Sequence, residues 1–260
     1  MTDSILVDKD DRGVCTLTLN RPQVHNAFDS ELVNNLLTHL SAVKHDKSIR
    51  VVMLTGAENT FSSGADINTM RDMVDADFET NHADALKLAQ ALNSLFLLPK
   101  ITIARINGSA YGGALGLIAC CDIAIASSEA RYAFTEVKLG IVPAVISPYI
   151  VNAIGVRHAQ RLFLSAKQFD GYLAQAMGLI HHVVTPRDLD SAIEKELRLV
   201  LAAGPSAIKE CKIMCHIFSG ITDDVMQNTV NTIAKLRISA EGQEGLSAFL
   251  EKRSPDWLPQ

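Results

Sequence analysis

Two glycine-containing segments of this sequence each follow an apolar run that is typical of a β-strand. The first, Ser-Ser-Gly-Ala-Asp-Ile at 62–67, comes after the run 51–55, and the second, Asn-Gly-Ser-Ala-Tyr-Gly-Gly-Ala at 107–114, comes after 101–106. Small residues let a backbone approach a ligand closely, and a helix that begins after a glycine turn presents N–H donors with a favourable dipole. Two such donors would stabilise a carbonyl oxygen that becomes an enolate. Taken singly, each segment is also typical of an ordinary strand-to-helix turn.

A carboxylate in a mostly apolar setting is a candidate for proton transfer. Glu136 lies in the segment Tyr-Ala-Phe-Thr-Glu-Val-Lys-Leu-Gly at 132–140, among aromatic and aliphatic neighbours. Such neighbours exclude water, which makes a carboxyl group readier to accept and return a proton at neutral pH. The alternative is a solvated loop carboxylate without a catalytic role.

The elements that would position these groups alternate between strands and helices in the first two thirds of the chain. Period-2 and period-3.6 apolar patterns predict strands near 5–7, 14–19, 51–55, 101–106 and 122–126, and helices near 30–44, 81–97 and 115–119. This alternation favours an α/β fold with parallel strands and right-handed crossovers. Only helices are predicted after residue 190, at 189–203, 206–219, 222–239 and 244–251.

Composition excludes several classes of function. The chain has 260 residues with 24 basic and 29 acidic side chains, so its net charge of -5 offers no basic surface for nucleic acid or for a membrane. The start of the chain has no basic, apolar leader, and no run approaches the roughly 20 apolar residues that span a bilayer. We therefore expect a cytoplasmic protein without nucleic-acid or membrane partners.

The five cysteines are odd in number and lie mostly in apolar segments. This pattern predicts buried thiols rather than disulfides. Cys211 and Cys215 are four residues apart with His216 adjacent, but the further ligands of a zinc site are missing nearby. We therefore predict no metal site.

Several motifs in a fixed order carry a resemblance to a known family. Asn20-Arg21-Pro22, Gly64-Ala65-Asp66-Ile67, the stretch from Gly108 to Gly113, Cys121-Asp122 and Glu136 together resemble the crotonase family of enoyl-CoA hydratases and isomerases, over nearly the whole chain. The resemblance implies a crotonase-like ββα superhelix with an acyl-CoA site in residues 1–190 and a helical trimerisation region in 191–260. It also implies an acyl-CoA thioester substrate, a homo-trimer or a dimer of trimers, and no separate cofactor, because coenzyme A is part of the substrate.

The resemblance also assigns roles to individual residues. Glu136 becomes the proton-transferring carboxylate, and the backbone N–H groups of Ala65 and Gly113 become the oxyanion hole. The residues placed by resemblance along the substrate and CoA path are Val24, His25, Ala27, Ser63, Asp66, Ile67, Tyr111, Gly112, Gly116 and Pro143. Near the end of the chain, Phe249, Lys252 and Arg253 lie where related proteins reach CoA.

Some of these assignments have structural alternatives. His25 could be a plain surface histidine, and Lys252 and Arg253 could be surface charges. Asp66 is expected to cap a helix rather than to catalyse, because its negative charge would oppose an enolate.

Two departures from the family pattern bear on the reaction. Gly116 stands where many members carry an earlier glutamate, and hydration is usually drawn with two carboxylates. Moving a double bond from the 3 to the 2 position needs only one base, so Gly116 favours an isomerase. The segment Ile-Val-Pro-Ala-Val-Ile-Ser-Pro-Tyr at 141–149 instead resembles hydratases of branched, carboxylated enoyl-CoA esters, such as the methylglutaconyl-CoA type of leucine breakdown, several of which lack the earlier glutamate.

We therefore expect a hydratase in which Glu136 acts with a water held by Ser147 or Tyr149. For these two residues a cap hydroxyl and a packing aromatic remain equal alternatives. An isomerase, a non-catalytic acyl-CoA-binding paralogue and an RNA-associated protein on the same scaffold stay open at this point.

Overall fold

The structure is a computed structural model that describes residues 3–74 and 76–257. The strands of this part are β1 (Ile5–Lys9), β2 (Val14–Leu19), β3 (Val51–Gly56), β4 (Thr60–Ser62), β5 (Ile101–Ile106), β6 (Ser109–Tyr111), β7 (Ile123–Ser127), β8 (Arg131–Ala133), β9 (Phe169–Asp170) and β10 (His182–Val184). The α-helices are α1 (Ser30–His45), α2 (Ile67–Val74), α3 (Phe78–Phe96), α4 (Gly113–Cys120), α5 (Ser147–Ser165), α6 (Gly171–Met177), α7 (Leu189–Ala202), α8 (Pro205–Ile217), α9 (Asp223–Arg237) and α10 (Ala240–Leu250).

The larger sheet has the strand order β1-β2-β3-β5-β7-β10. β1 pairs antiparallel with β2, and every later neighbour in this sheet is parallel. Parallel strands need both faces covered, and β3 and β5 are accordingly buried over most of their length. The α/β class predicted from the alternation of elements is confirmed.

A smaller sheet, with the order β4-β6-β8-β9, carries the functional loops. β4, β6 and β8 run parallel, and each follows a strand of the larger sheet by a short turn, so the pairs β3/β4, β5/β6 and β7/β8 repeat one unit. These second strands have three residues each, which is too short for periodicity in the sequence to reveal. The repeated unit is the ββα turn that the resemblance implied.

Two of the predicted helices begin directly after an aspartate whose side chain caps the helix N-terminus. α1 begins after Asp29, whose side chain accepts a hydrogen bond from the N–H of Leu32 at 2.8 Å, and α3 begins after Asp77 in the same way. α5 was not predicted, because Gly155 interrupts it with a non-helical conformation and breaks the apolar period.

The last four helices confirm the helical region predicted after residue 190. α9 packs along α3, whereas α10 contacts α2 and the short 3-10 turn Glu136–Leu139. A Cβ added to Gly245 of α10 would lie 2.3 Å from the carbonyl of Leu139, so this contact requires glycine. α9 and α10 therefore cover the chain's own core and support the turn that carries Glu136.

The prediction that the thiols are buried is correct for only three of the five cysteines. Cys15, Cys120 and Cys121 are buried, but Cys211 and Cys215 are exposed, because α8 buries little more than Lys212 along its length.

Among the helices of the described residues, none is both long and apolar enough to cross a membrane. The same part of the chain contains no cluster of three or more His, Cys, Asp or Glu side chains suited to a metal ion.

Candidate active site

Three loops of the smaller sheet converge on one site. The segment Ser63-Gly64-Ala65 follows β4, Gly112-Gly113 follows β6, and Thr135-Glu136 follows β8. Because β4, β6 and β8 are parallel neighbours, their carboxyl ends meet at the same edge of the sheet. Segments separated by up to 73 residues of sequence are brought side by side in this way.

Both glycine turns place backbone N–H groups at this edge. Gly64 and Gly112 have φ values of +87° and +52°, which L-residues with side chains rarely adopt. A Cβ on Gly64 would lie 2.7 Å from the carbonyl oxygen of Tyr111 and 3.7 Å from the backbone nitrogen of Gly113, so the two turns are in contact.

The N–H groups of Ala65 and Gly113 are available to a ligand. Neither donates to a protein acceptor within the described residues, although the flanking N–H of Asp66 binds the carbonyl of Phe28 at 2.8 Å. Gly113 is also the first residue of α4, whose N-terminal dipole favours negative charge. The two amides can therefore serve as paired donors to an oxyanion.

The carboxyl group of Glu136 faces these turns. Its Oε1 lies 3.2 Å from the position that a Cβ on Gly112 would take. Its Oε2 is buried and meets no hydrogen-bond donor in the part of the chain that the structure describes. Burial raises the pKa of Glu136 to about 7, and the backbone N–H groups of Glu136 and Thr135 oppose that rise only in part. Such a group can both accept and return a proton near neutral pH.

A cavity of about 150 Å³ opens in front of Glu136. Its walls come from the three loops, from the start of α1 and the residues just before it, from α2 and α3, from the segment 139–146, and from α9 and α10. The aliphatic, aromatic and thioether side chains that line it are Phe28, Val33, Met70, Met73, Leu88, Leu139, Ile141, Val142, Val145, Ile146, Ile233 and Leu246. Ile233 and Leu246 lie outside the predicted 1–190 core, so the C-terminal helices complete the cavity.

The structure brings together about half of the predicted site residues. Ser63, Ala65, Gly112, Gly113, Glu136 and Pro143 line the cavity. Val24, His25, Ala27, Asp66, Ile67, Tyr111 and Gly116 do not. The segment 24–27 nevertheless packs on the first glycine turn, since the N–H of Ser63 binds the carbonyl of His25 at 2.9 Å. Ala27 is buried, whereas His25 and Ile67 are exposed beside the site.

Asp66 caps a helix. Its Oδ1 accepts from the N–H of Asn68 at 2.8 Å in the first turn of α2, and its Oδ2 pairs with Arg21 at 2.8 Å. Arg21 also pairs with Asp29 at 2.8 Å. The Asn-Arg-Pro motif therefore ties the loop before α1 to the first glycine turn.

Gly116 is packed rather than open to the cavity. A Cβ at this position would lie 2.4 Å from Cγ2 of Ile146 and 3.3 Å from Leu92. The space that a glutamate side chain would need is filled by Ile146. The site therefore holds one buried carboxyl group where the family's pattern has two.

The residues predicted to hold a water also lie outside the cavity. The hydroxyl of Ser147 donates to the carbonyl of Ala144 at 2.7 Å, and the buried ring of Tyr149 packs edge-on against Phe96. The packing role left open for Tyr149 is therefore observed, whereas Ser147 is the first residue of α5 and its hydroxyl does not cap the helix. Thr135 lines the cavity instead, beside Glu136, and its hydroxyl makes no hydrogen bond within the described residues.

The C-terminal candidates do not line the cavity either. Both terminal nitrogens of Arg253 bind the carboxylate of Glu244, at 2.6 and 2.8 Å, so its guanidinium is engaged by the helix that precedes it, α10. Phe249 is half-exposed and Lys252 is exposed.

Sequence reasoning missed three charged side chains that helices contribute to the cavity wall, in addition to Asp29, which caps α1. Asp84 and Lys87 come from α3, and Arg237 comes from α9. The sequence contains a signal for Asp84 and Lys87. They lie three residues apart in the predicted helix, on the side that also carries Ala85 and Leu88, so all four could be expected to face the same neighbour. Nothing in the sequence links α3 to Arg237, which is 153 residues from Asp84.

Known proteins match this chain over almost its full length. The family model described as enoyl-CoA hydratase/isomerase matches residues 9–260. A mitochondrial methylglutaconyl-CoA hydratase of Mus musculus is 32% identical over 96% of this chain and 81% of its own, and a 2,3-dehydroadipyl-CoA hydratase of Escherichia coli K12 is 30% identical over 97% and 98%.

A solved structure of an enoyl-CoA hydratase from Shewanella pealeana superposes with a TM-score of 0.81 at 40% identity, covering 98% of this chain and 96% of that one. The predicted crotonase-like fold is thereby confirmed. The match of the family model and the shared fold establish that this chain is an enzyme of the enoyl-CoA hydratase/isomerase family.

Proposed function

We propose that this protein is a hydratase that adds water to the double bond of a 2-enoyl-CoA thioester. The observation that carries the proposal is the single buried carboxyl group of Glu136, with its pKa near 7, facing two backbone N–H groups without protein acceptors. Bound with its carbonyl oxygen at the N–H groups of Ala65 and Gly113, the thioester would develop an enolate there while water adds to C3. Glu136 would take a proton from that water and return a proton to C2.

The second holder of the attacking water is proposed to be Thr135. Its hydroxyl lines the cavity next to Glu136 and has both a donor and an acceptor to offer. Glu136 Oε2 and Thr135 Oγ1 would then share the water that two carboxylates hold in the family's usual pattern. The proposed reaction needs no separate cofactor, since coenzyme A is part of the substrate.

A second candidate is a 3-to-2-enoyl-CoA isomerase. The observation that favours it is the filling of the Gly116 position by Ile146, which leaves Glu136 as the one carboxyl group of the described cavity lining that has no ion-pair partner. One base can remove a proton from C2 and return it to C4 while the oxyanion hole stabilises the dienolate. The hydratase is preferred because relatives with 30–32% identity carry hydratase names.

For the acyl group we propose a branched or carboxylated chain of the 3-methylglutaconyl type. Two relatives are named for acyl groups that carry a second carboxylate, methylglutaconyl and 2,3-dehydroadipyl. The cavity wall also contains the cations Lys87 and Arg237, which a purely aliphatic chain would not use.

A homo-trimer or a dimer of trimers is proposed as the assembly. Large apolar side chains on and just after α8 are exposed, with Phe218 85% and Ile217 70% accessible. Exposed apolar surface of this kind is typical of subunit contacts. Light scattering during size-exclusion chromatography gives the mass directly, and a monomer at micromolar concentration would contradict the proposal.

The reaction is tested by chromatographic separation of the products followed by mass spectrometry. The purified protein and its Glu136→Gln variant are incubated with crotonyl-CoA, 3-methylglutaconyl-CoA and a 3-enoyl-CoA. Gain of one water on a 2-enoyl ester, abolished in the variant, supports the hydratase, and a faster reaction of 3-methylglutaconyl-CoA supports the acyl assignment. Conversion of the 3-enoyl ester alone, without change of mass, supports the isomerase and contradicts the hydratase.

A further inference from the structure

Some charged side chains of the cavity wall form ion pairs and others do not. Five charged residues line it, namely Asp29, Asp84, Lys87, Glu136 and Arg237. Asp29 pairs with Arg21, and Asp84 pairs with Arg237, each at 2.8 Å. Lys87 is an exposed residue without an ion pair within the described residues, so apart from Glu136 it is the one charged residue of the lining that no opposite charge compensates.

Arg237 has hydrogen-bonding capacity to spare. Its Nη1 binds Oδ2 of Asp84, whereas Nε and Nη2 meet no acceptor in the part of the chain that the structure describes. A guanidinium carries five N–H donors in a planar fork that fits a carboxylate. The side chain is 17% exposed, and the carbonyl of Arg237 is held by Nε2 of Gln243 at 2.7 Å. Arg237 is therefore held in place and mostly buried, but only one of its three guanidinium nitrogens donates a hydrogen bond to another of the described residues.

Helix α3 connects the two cations to the reacting end of the cavity. Leu88 of α3 lies beside the oxyanion donor, since its Cδ2 is 3.8 Å from the position of a Cβ on Gly113. Asp84, which binds Arg237, is four residues earlier on the same helix, and therefore about 6 Å further along its axis. An acyl chain that runs from the oxyanion hole along α3 would reach the Lys87 and Arg237 side chains with its far end.

We propose that Lys87 and Arg237 form a carboxylate subsite, which selects 2-enoyl thioesters whose acyl chain ends in a second carboxylate. Arg237 would share its guanidinium between Asp84 and the substrate, and Lys87 would supply the unbalanced positive charge. Charge-assisted hydrogen bonds in a partly desolvated site are worth more than neutral ones. This inference rests on the proposed function, and it takes the acyl chain to run from the oxyanion hole along α3.

The test measures binding, so that it does not depend on turnover. Glutaryl-CoA and pentanoyl-CoA both have five-carbon acyl chains. The glutaryl chain ends in a carboxylate, whereas the pentanoyl chain ends in a methyl group. Their dissociation constants are measured by calorimetry for the wild type and for Lys87→Glu, Arg237→Gln and Asp84→Asn. Lys195→Glu is the control, because Lys195 is an exposed lysine of α7 away from the cavity.

The wild type should bind glutaryl-CoA more tightly than pentanoyl-CoA. Lys87→Glu and Arg237→Gln should each weaken glutaryl-CoA about 10- to 100-fold, the range expected for a hydrogen bond to a charged group, and leave pentanoyl-CoA within about threefold. Asp84→Asn should retain or strengthen glutaryl-CoA binding, because it releases the guanidinium. Lys195→Glu should leave both constants unchanged.

Equal weakening of both ligands by Arg237→Gln and by Asp84→Asn would mean that the ion pair only joins α3 to α9, and would overturn the inference. So would a wild type that does not prefer glutaryl-CoA. Absence of hydration with a retained preference for glutaryl-CoA would contradict the proposed function but leave the subsite standing.

Discussion

The two glycines of α4 show how a missing side chain serves opposite purposes. Gly113, at the first position of the helix, leaves its N–H and the space around it to a ligand, and an added Cβ would make only ordinary contacts with Phe28 and Leu88. Gly116, three residues later, leaves its space to Ile146, whose Cγ2 would be 2.4 Å from an added Cβ. The first glycine leaves space in the site and the second does not, so Glu136 has no partner carboxylate at the Gly116 position.

The largest expected effect comes from removing that remaining carboxylate. Glu136→Gln keeps the shape of the side chain but cannot take up a proton, so kcat should fall about 10²- to 10⁴-fold. Thioester affinity should stay close to the wild-type value. Stopped-flow absorbance at the enoyl thioester band gives kcat, and a variant that keeps most of its activity would remove Glu136 from the mechanism.

The next effect concerns the first glycine turn. Gly64→Ala forces a side chain at φ +87° and places its Cβ 2.7 Å from the carbonyl oxygen of Tyr111, which displaces the N–H of Ala65. Loss of one oxyanion donor should lower kcat about 10²- to 10³-fold.

Gly220→Ala is the matched control for backbone strain. Its φ is +69°, and an added Cβ there meets nothing within 4 Å. If both variants lose stability equally and Gly64→Ala keeps full activity per folded molecule, the first turn does not supply a donor.

A smaller effect follows from the pKa of Glu136, which burial raises to about 7. In a hydratase the carboxylate form is the base, so kcat/KM should rise about tenfold between pH 6 and pH 8. The folded-state pKa lies above the ordinary value of 4.5, so the contribution of Glu136 to stability is fully present below pH 4.5 and is lost as the pH rises through 7. Glu136→Gln should remove both dependences, and a kcat/KM profile that is flat from pH 6 to 8 would contradict the assignment.

The smallest effect on activity is expected at Gly116. Gly116→Ala should destabilise the protein by about 1–3 kcal/mol, because the methyl group overpacks against Ile146. The kcat of the folded variant should change less than about threefold. Gly113→Ala is the control on the same helix and should not destabilise.

Denaturant unfolding measures both stabilities. A Gly116→Ala variant as stable as the wild type would show that Ile146 does not fill this position, and would reopen the comparison between the two glycines. In a double-mutant cycle, Gly116→Ala should destabilise the Ile146→Ala variant less than it destabilises the wild type.

The sequence by itself determined the order of the motifs, the α/β class and the helical end of the chain. It also determined that Glu136 lies among apolar neighbours. These follow from local patterns, since periodicity, caps and glycine turns depend on residues a few positions apart. Strands of three residues and the interrupted helix α5 escaped prediction because they are too short or too irregular to show a period.

Only the tertiary structure decided which side chains meet. It joined Glu136 to Gly112 across parallel strands, filled the Gly116 position with Ile146, and brought Arg237 to Asp84 from 153 residues away. It also moved Ser147 and Tyr149 out of the site and placed Thr135 and Lys87 in its wall. The physical reason is that burial, a raised pKa and a shared cavity are properties of contacts between distant segments, which no local pattern encodes.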